Sequence, residues 1–393
     1  MAGAHPALEA LAASLRERPW EAVALSEPVP VTELPTPALL LDEARLDANI
    51  ERMAGFLAGR GKGVRPHAKT HKCPLIARRQ LQAGAVGICA AKVSEALVLA
   101  GAGIDRILIT SPVLSPAKLA VVGSLAAPDR AIDIVVDSLQ GLDALRAMAN
   151  PAAPIGVLVD VDVAMGRTGT RDADTILRLA EAAASSDGLI YRGVQHYAGQ
   201  VMHVAGHTSR RDKSLGLWER VRAVVRALTD RGLAPAVVTG SGTGTYDIDS
   251  EVDFITDLQV GSYVFMDRDY LDIGGASGDV FDDFEVSLTV AATAISQPRE
   301  GLITFDAGYK AFASDSGNPR PLTVPGATEY RFAGDEHGVL LLGSAAQEPL
   351  LGTVQQFVTP HCDPTVNLYD AYWLCRDGAA VARWPIAARG CSW

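Results

Sequence analysis

A lysine flanked by two histidines is the most chemically suggestive feature of the chain. It lies in Arg65-Pro66-His67-Ala68-Lys69-Thr70-His71-Lys72, at the end of a short apolar run. Burial and nearby positive charge lower a lysine pKa, and Schiff-base chemistry needs the neutral amine. A surface lysine is the plainer reading, but the strand end and the two histidines speak against it. His67 and His71 could instead be an i,i+4 metal pair; that needs a helix, which Pro66 and the strand context disfavour. A second feature is Gly240-Ser241-Gly242-Thr243-Gly244. Glycines let backbone N–H groups converge on an anion, and Ser241, Thr243 and Thr245 add hydroxyls. The spacing is not that of a dinucleotide loop, and the segment that follows does not open as a helix packed on the sheet. A plain turn is the other reading. Arg167 follows Asp160-Val161-Asp162, where a structural ion-pair cluster and a cofactor contact are equally good explanations. In Pro360-His361-Cys362-Asp363-Pro364, His361 and Asp363 are two apart. In extended chain they share a side and could hold a divalent ion such as Mn²⁺ or Mg²⁺, with Cys362 pointing away. Cys362 as a ligand would favour Zn²⁺; a polar turn is the alternative.

These residues need elements to hold them. Eight short apolar runs read as strands: 63–68, 86–91, 106–110, 132–136, 155–161, 190–196, 236–240 and 258–264. Helix-like segments at 74–83, 93–101, 115–126, 138–149, 173–185 and 209–232 alternate with them, and Asp42 can cap a further helix at 42–59. Buried runs alternating with amphipathic helices mean parallel strands covered by helices, and eight such units fit an α/β (β/α)8 TIM barrel. A doubly wound open sheet is the rival. Barrel chemistry sits where the strands end. Lys69 ends the first strand, Asp160, Asp162 and Arg167 follow the fifth, and Gln195, His196 and Tyr197 close the sixth. The glycine loop closes the seventh, and Ser262, Tyr263 and Asp267 the eighth. From about residue 280, apolar segments at 285–294, 301–306, 338–342, 353–358 and 371–375 alternate with Gly, Pro and Asp turns, which predicts a mostly β second domain. The expected organisation is an N-terminal segment 1–35, with a short helix near 7–18, packing on the β domain; a barrel over 36–275; and a β domain over 276–393.

Composition sets the outer bounds. The 393 residues carry 35 basic and 46 acidic side chains, a formal net charge of -11, with 48% hydrophobic residues. Such a surface disfavours nucleic acid while leaving room for a small anion in a local pocket. Five scattered cysteines without a CxxC pair suit a reducing cytoplasm. No signal peptide and no spanning segment is visible, so no membrane partner is expected.

The segments Thr36-Pro37-Ala38-Leu39-Leu40-Leu41-Asp42, 65–72, 240–244 and His361-Cys362-Asp363-Pro364-Thr365-Val366-Asn367-Leu368 together resemble the D-threonine aldolase and D-serine dehydratase family. It is distantly related to alanine racemase, and the resemblance runs from about residue 34 to near the end of the chain. It implies a fold-type III barrel with a C-terminal β domain, working as a homodimer with pyridoxal phosphate and a divalent metal. By position, it implies Lys69 as the Schiff-base lysine and Arg167 near the pyridine nitrogen. Gln195, Tyr197 and Thr239 would line the cofactor site, and Gly242, Thr243, Gly244 and Tyr263 would hold the phosphate. His361 and Asp363 would bind the metal, and His203 would be the base. Three positions depart from the family pattern: His196, where a small residue is commoner; Ala198, where a polar one is; and Ser241, where glycine is.

The implied reaction is cleavage of a D-3-hydroxy-amino acid to glycine and an aldehyde. A D-serine or 3-hydroxyaspartate dehydratase is the nearest rival, although those enzymes tend to carry His-x-Cys where this chain has His361-x-Asp363. A 3-hydroxy-D-aspartate aldolase would need a further cation for the side-chain carboxylate. A racemase would have no use for the metal pair, and a non-catalytic pyridoxal-phosphate carrier would need neither that pair nor the second domain.

Overall fold

A computed structural model describes residues 6–343 and 351–393; residues 1–5 of the expected N-terminal segment lie outside that range. The expected parallel strands form one eight-stranded sheet, at Gly63–Val64, Ile88–Ala90, Arg106–Ile109, Ala131–Val136, Ile155–Asp160, Leu189–His196, Val237–Gly240 and Asp257–Leu258. Each pairs with its neighbour in sequence, and the last pairs with the first. A parallel bridge between His67 and Cys89 joins the first strand to the second, with Ala68 N–H donating to Cys89 O and Cys89 N–H to Pro66 O, both at 2.8 Å. The sheet therefore closes into a barrel, and the open-sheet alternative falls.

Helix Glu43–Ala58 starts where Asp42 accepts a hydrogen bond from Arg45 N–H at 3.0 Å. Leu46, Ile50, Met53 and Leu57 form its buried stripe. The eighth strand is shorter than its apolar run. Gly261 packs against Thr70, where a Cβ would lie 2.5 Å from Thr70 Oγ1, and the chain then curls into a 3₁₀ turn at Ser262–Val264.

The second sheet has ten strands among the described residues, drawn from both chain ends. Val23–Pro30 pairs with Ala379–Pro385. Ala38–Asp42 lies between Ala371–Arg376 and Leu288–Arg299, and so sits in this sheet, not in the barrel. The N-terminal residues divide: the strand joins this sheet, whereas helix Pro6–Arg16 buries Ala12 and Leu15 and packs on barrel helix Val93–Gly101. Strand Ala327–Phe332 is half polar, which hid it from an apolar-run reading.

The barrel interior is part apolar, with Cys89, Leu108, Val135 and Leu158 packed together, and part polar. Arg65 Nε donates to Asp257 Oδ1 at 2.8 Å, and Thr239 Oγ1 donates to the same oxygen at 2.7 Å. Gln259 Nε2 reaches Thr239 Oγ1 at 3.2 Å and Gln195 Oε1 at 3.1 Å; Gln195 Nε2 reaches Asp160 Oδ1 at 3.1 Å. This ladder climbs from the barrel floor to the strand ends and fixes the Gln195 amide. Burial works to lower the Arg65 pKa, but Asp257 reverses this and raises it. Replacing one member of such a pair strands its partner's charge. Asp257→Ala is expected to lower the unfolding free energy by about 3–5 kcal/mol, read from urea titration; a loss within the error of the titration would show that the pair carries no such weight.

Candidate active site

Lys69 follows the barrel-closing bridge, so closure itself sets where its side chain starts. Its ammonium meets the carboxylate of Asp363 from the second domain. Burial works to lower the lysine pKa, but Asp363, with Tyr197 behind it, overrides this and raises it. The expected depression is thus reversed, because the sequence does not announce a carboxylate 294 residues away. Burial would likewise raise the Asp363 pKa, and Lys69 and His361 hold it well below the usual carboxylate range.

Lys69 opens into a cavity of about 590 Å³ at the strand ends, which Arg167, Gln195, Tyr197, Gly242 and Thr243 also line. Among the lining side chains, the cations Lys69, Lys92 and Arg167 face the carboxylates of Asp137 and Asp160. Lys69 is already paired with Asp363, so Lys92 and Arg167 are the lining cations placed to meet a small anion. Thr70 Oγ1 also lines the cavity, on the side of Asp363, whose low pKa it helps to hold; the Gly242 backbone and the Thr243 side chain face the same space. These groups fit pyridoxal phosphate.

Several expectations change on contact with the geometry. Thr239 faces the interior ladder below the cavity. The Tyr263 phenol is buried on Gln80, 3.1 Å from Gln80 Nε2, and it is the Tyr263 backbone N–H that meets Thr243 Oγ1 at 3.0 Å. The Gly244 carbonyl is held by buried Arg210 at 2.6 Å, and a Cβ on Gly244 would lie 2.1 Å from Met202 O. Thr239, Gly244 and Tyr263 therefore support the cradle without lining it. His67 Nε2 lies 3.1 Å from Thr110 Oγ1, and His71 Nδ1 accepts from Cys73 N–H at 3.1 Å, so the two rings do not converge as a metal pair. Asp162 accepts from the N–H groups of Ala164, Met165 and Gly166 and from Arg171 Nε at 2.7 Å. The structural ion pair is thus Asp162–Arg171, and Arg167 is left over the Tyr197 ring at 5.2 Å, facing the cavity. His196 turns outward onto Trp218, ring centroids 5.0 Å apart, so its departure from the family pattern lies outside the cavity. The Ser241 backbone sits in the left-handed region at φ 71°, and its hydroxyl contacts Thr245 Oγ1 at 3.3 Å; it does not face the cavity.

Outside the cavity lining, Asp363 lies against Lys69, with His361 in electrostatic reach of Asp363 and His203 in reach of both. Burial lowers the His203 pKa, with Asp269 opposing, and the charges of His361, Lys69 and Asp363 also act on it. His203 Nε2 is 3.4 Å from Asp269 Oδ2. His361 Nδ1 is 2.6 Å from Asp315 Oδ2, and Nε2 has no hydrogen-bond partner among the described residues. One bare imidazole nitrogen and one buried carboxylate fit a divalent ion. Cys362 is turned inward: its N–H donates to Asp267 at 2.7 Å, and burial pushes its thiol well up, against a thiolate ligand. Asp269 and Asp315 were not foreseen. Asp269 lies two residues past a cluster that drew notice, and nothing in its sequence neighbourhood marks Asp315.

Residues 41–269 match the family model described as alanine racemase, N-terminal domain, and residues 287–375 match the putative serine dehydratase domain. The chain is 41% identical to a D-threonine aldolase from Arthrobacter sp, over 92% of this chain and 95% of that one. It is 34% identical to a 3-hydroxy-D-aspartate aldolase from Paracoccus denitrificans, over 91% and 93% respectively. The crystal structure of a D-threonine aldolase from Filomicrobium marinum superposes with a TM-score of 0.89 at 37% identity, covering 94% of this chain and 100% of that one.

Two outcomes test this geometry. Glycine tolerates the left-handed region that strains a serine by about 1–2 kcal/mol. Ser241→Gly is therefore expected to leave cofactor affinity intact without loss of stability; a large drop in cofactor affinity would mean that the hydroxyl faces the ligand. Burial raises the Asp160 carboxyl from 3.8 to about 6, with Thr168 and Gln195 opposing. Between those pH values the fold binds a proton that the unfolded chain has released, so stability falls as pH rises through the window. Asp160→Asn is expected to flatten that fall and to be more stable at pH 7 by about 1–3 kcal/mol. Urea titrations across the window check this, and an unchanged slope would contradict it.

Proposed function

The chain belongs to the pyridoxal-phosphate-dependent family that unites D-threonine aldolases with 3-hydroxyaspartate aldolases and dehydratases on an alanine racemase-type barrel, and we propose that it is a lyase cleaving D-3-hydroxy-amino acids of the D-threonine type to glycine and an aldehyde. The Lys69–Asp363 contact carries this reading. It puts a Schiff-base lysine against a His-x-Asp pair and within electrostatic reach of His203, so chemistry at the α-carbon and at a β-hydroxyl share one site.

Pyridoxal phosphate, held through Lys69, supplies an electron sink at the α-carbon. His361 and Asp363 would hold a divalent ion of the Mn²⁺ or Mg²⁺ type, which would supply a Lewis acid at the β-hydroxyl. The chain does the rest. His203 takes the hydroxyl proton; burial lowers its pKa and so keeps the ring neutral and able to accept it. Asp269 and the Tyr270 ring, centroids 4.5 Å apart, hold the imidazole in place. Arg167, which rests on Tyr197, would stand by the pyridine nitrogen. Gln195, fixed by Gln259 and Asp160, forms the cavity wall. Gly242 and Thr243 would cradle the phosphate, with the Tyr263 N–H holding Thr243 and with Thr239 and Gly244 shaping the loop from behind.

The carboxylate of Asp363, in place of the cysteine that dehydratases tend to carry, favours cleavage over dehydration. The aldehyde-lyase activity of two relatives supports the same choice. A homodimer in the cytoplasm completes the reading. Five free cysteines, all buried, accord with that compartment, and among the described residues no helix is long and apolar enough to cross a membrane.

Incubation of the protein with D-threonine, pyridoxal phosphate and Mn²⁺ is expected to yield glycine and acetaldehyde in equal amounts. A 2-oxo acid with ammonia would overturn cleavage in favour of dehydration. His203→Asn is expected to lower kcat by about 10²–10⁴-fold while leaving the visible absorbance of the bound cofactor unchanged. Lys69→Ala is expected to lose that absorbance. Full turnover by His203→Asn would remove His203 from the role of base.

A further inference from the structure

The loop at 313–318 of the β domain crosses to the barrel helix Arg268–Leu271 beside the candidate metal pair. It is keyed at three points. Ala313 N–H donates to Thr365 Oγ1 at 3.1 Å, and that hydroxyl donates to His361 O at 2.7 Å. Ser316 Oγ donates to Asp269 Oδ2 at 3.1 Å, on the carboxylate that faces His203. Arg268 Nη1 donates to Asn318 O at 2.7 Å. Gly317 makes the turn at φ 99°, and a Cβ there would lie 3.2 Å from the Arg268 guanidinium. The residue this loop delivers is Asp315, with Oδ2 2.6 Å from His361 Nδ1.

We propose that Asp315 is a positioning residue for metal binding: it accepts the Nδ1 proton of His361, fixes the ring, and leaves Nε2 as the only lone pair free for a cation. A hydrogen bond at one imidazole nitrogen decides which nitrogen is left to a metal. Asp315 is not itself a ligand of that ion, because the two ring nitrogens face opposite edges of the imidazole and Asp315 occupies the far one. The Asp315 side chain is about half exposed, at 53%, so its charge counts for little through water; the effect lies in orientation. The inference rests on the metal assignment made for His361 and Asp363 above.

The test titrates holoprotein with Mn²⁺ and follows the free ion by electron paramagnetic resonance, for wild type, Asp315→Asn and Asp315→Ala. The alanine chain is expected to bind Mn²⁺ about 10–100-fold more weakly. Asparagine, whose carbonyl can still accept the Nδ1 proton, is expected to fall clearly nearer wild type. Cofactor absorbance should be the same in all three. Unchanged affinity in Asp315→Ala overturns the proposal, as does an asparagine chain as weak as the alanine one. Should the alanine chain fail to fold, Asp315→Glu, which moves the carboxylate by one methylene, is expected to show the loss instead, and affinity equal to wild type would overturn the proposal. Glycine release from D-threonine is measured on wild type in parallel. Weakened Mn²⁺ binding in Asp315→Ala without any glycine from wild type would sink the functional reading and leave this one standing; normal cleavage with unchanged affinity would do the reverse.

Discussion

The contact between Lys69 and Asp363 is the constraint around which this molecule is arranged. A buried carboxylate without a partner takes up a proton. Asp363 is largely buried, and Lys69, whose side chain is 42% exposed, supplies the countercharge that keeps it ionised across 294 residues of sequence. The barrel and the β domain must dock for that pairing to exist. Tyr372 OH donates to His71 O at 2.6 Å, and Ala388 N–H donates to Lys72 O at 3.0 Å, so the C-terminal strands and tail clamp the lysine loop. Lys72 pairs with buried Glu95 at 2.5 Å on the loop's other side. Asp363 is thus a carboxylate paired with the lysine in the chain alone, and on the proposed reading it would be free for a metal once the cofactor engaged the amine.

The same region concentrates backbone strain. Five described non-glycine residues have positive φ, and four of them, Lys72, Ala164, Ser241 and Met266, lie in the loops that follow the first, fifth, seventh and eighth barrel strands. Strain of this kind persists only where the surroundings overdetermine the conformation. Here the surroundings are specific: Glu95 for Lys72, the Asp162 carboxylate for Ala164, and the Asp249 cluster for Ser241. The barrel wall is regular paired strand, and the strained loops on its rim carry several of the candidate site residues.

The barrel was legible because most of its strands are largely apolar and buried; Ile155–Asp160 is buried at every residue. Lys69, Arg167, Gln195, Tyr197, Gly242 and Thr243 could be placed at the cavity because strand ends define a barrel's working face. What could not be read follows from side-chain direction and from long-range pairing. Alternation turns His196 outward onto Trp218, although it stands between two cavity residues. The curl after Gly261 sends the Tyr263 phenol into the core. The raised pKa of Lys69 depends on a residue in the other domain. Ala38–Asp42 looks like a barrel strand by composition, and only its pairing with Leu288–Arg299 assigns it to the β sheet. Asp315 sits in a loop whose sequence has no periodicity to betray it.

The central claim is that one site unites the lysine's cofactor and a cation held by His361 and Asp363. Crystals of the protein grown with pyridoxal phosphate and Mn²⁺, measured at the manganese absorption edge, test it most directly. The expected result is a single strong anomalous peak bridging His361 Nε2 and the Asp363 carboxylate, at the mouth of the cavity that Lys69 enters. A peak on His67 or His71, or at the acidic pocket of Asp306, Asp335 and Glu336 with none at His361, would contradict it.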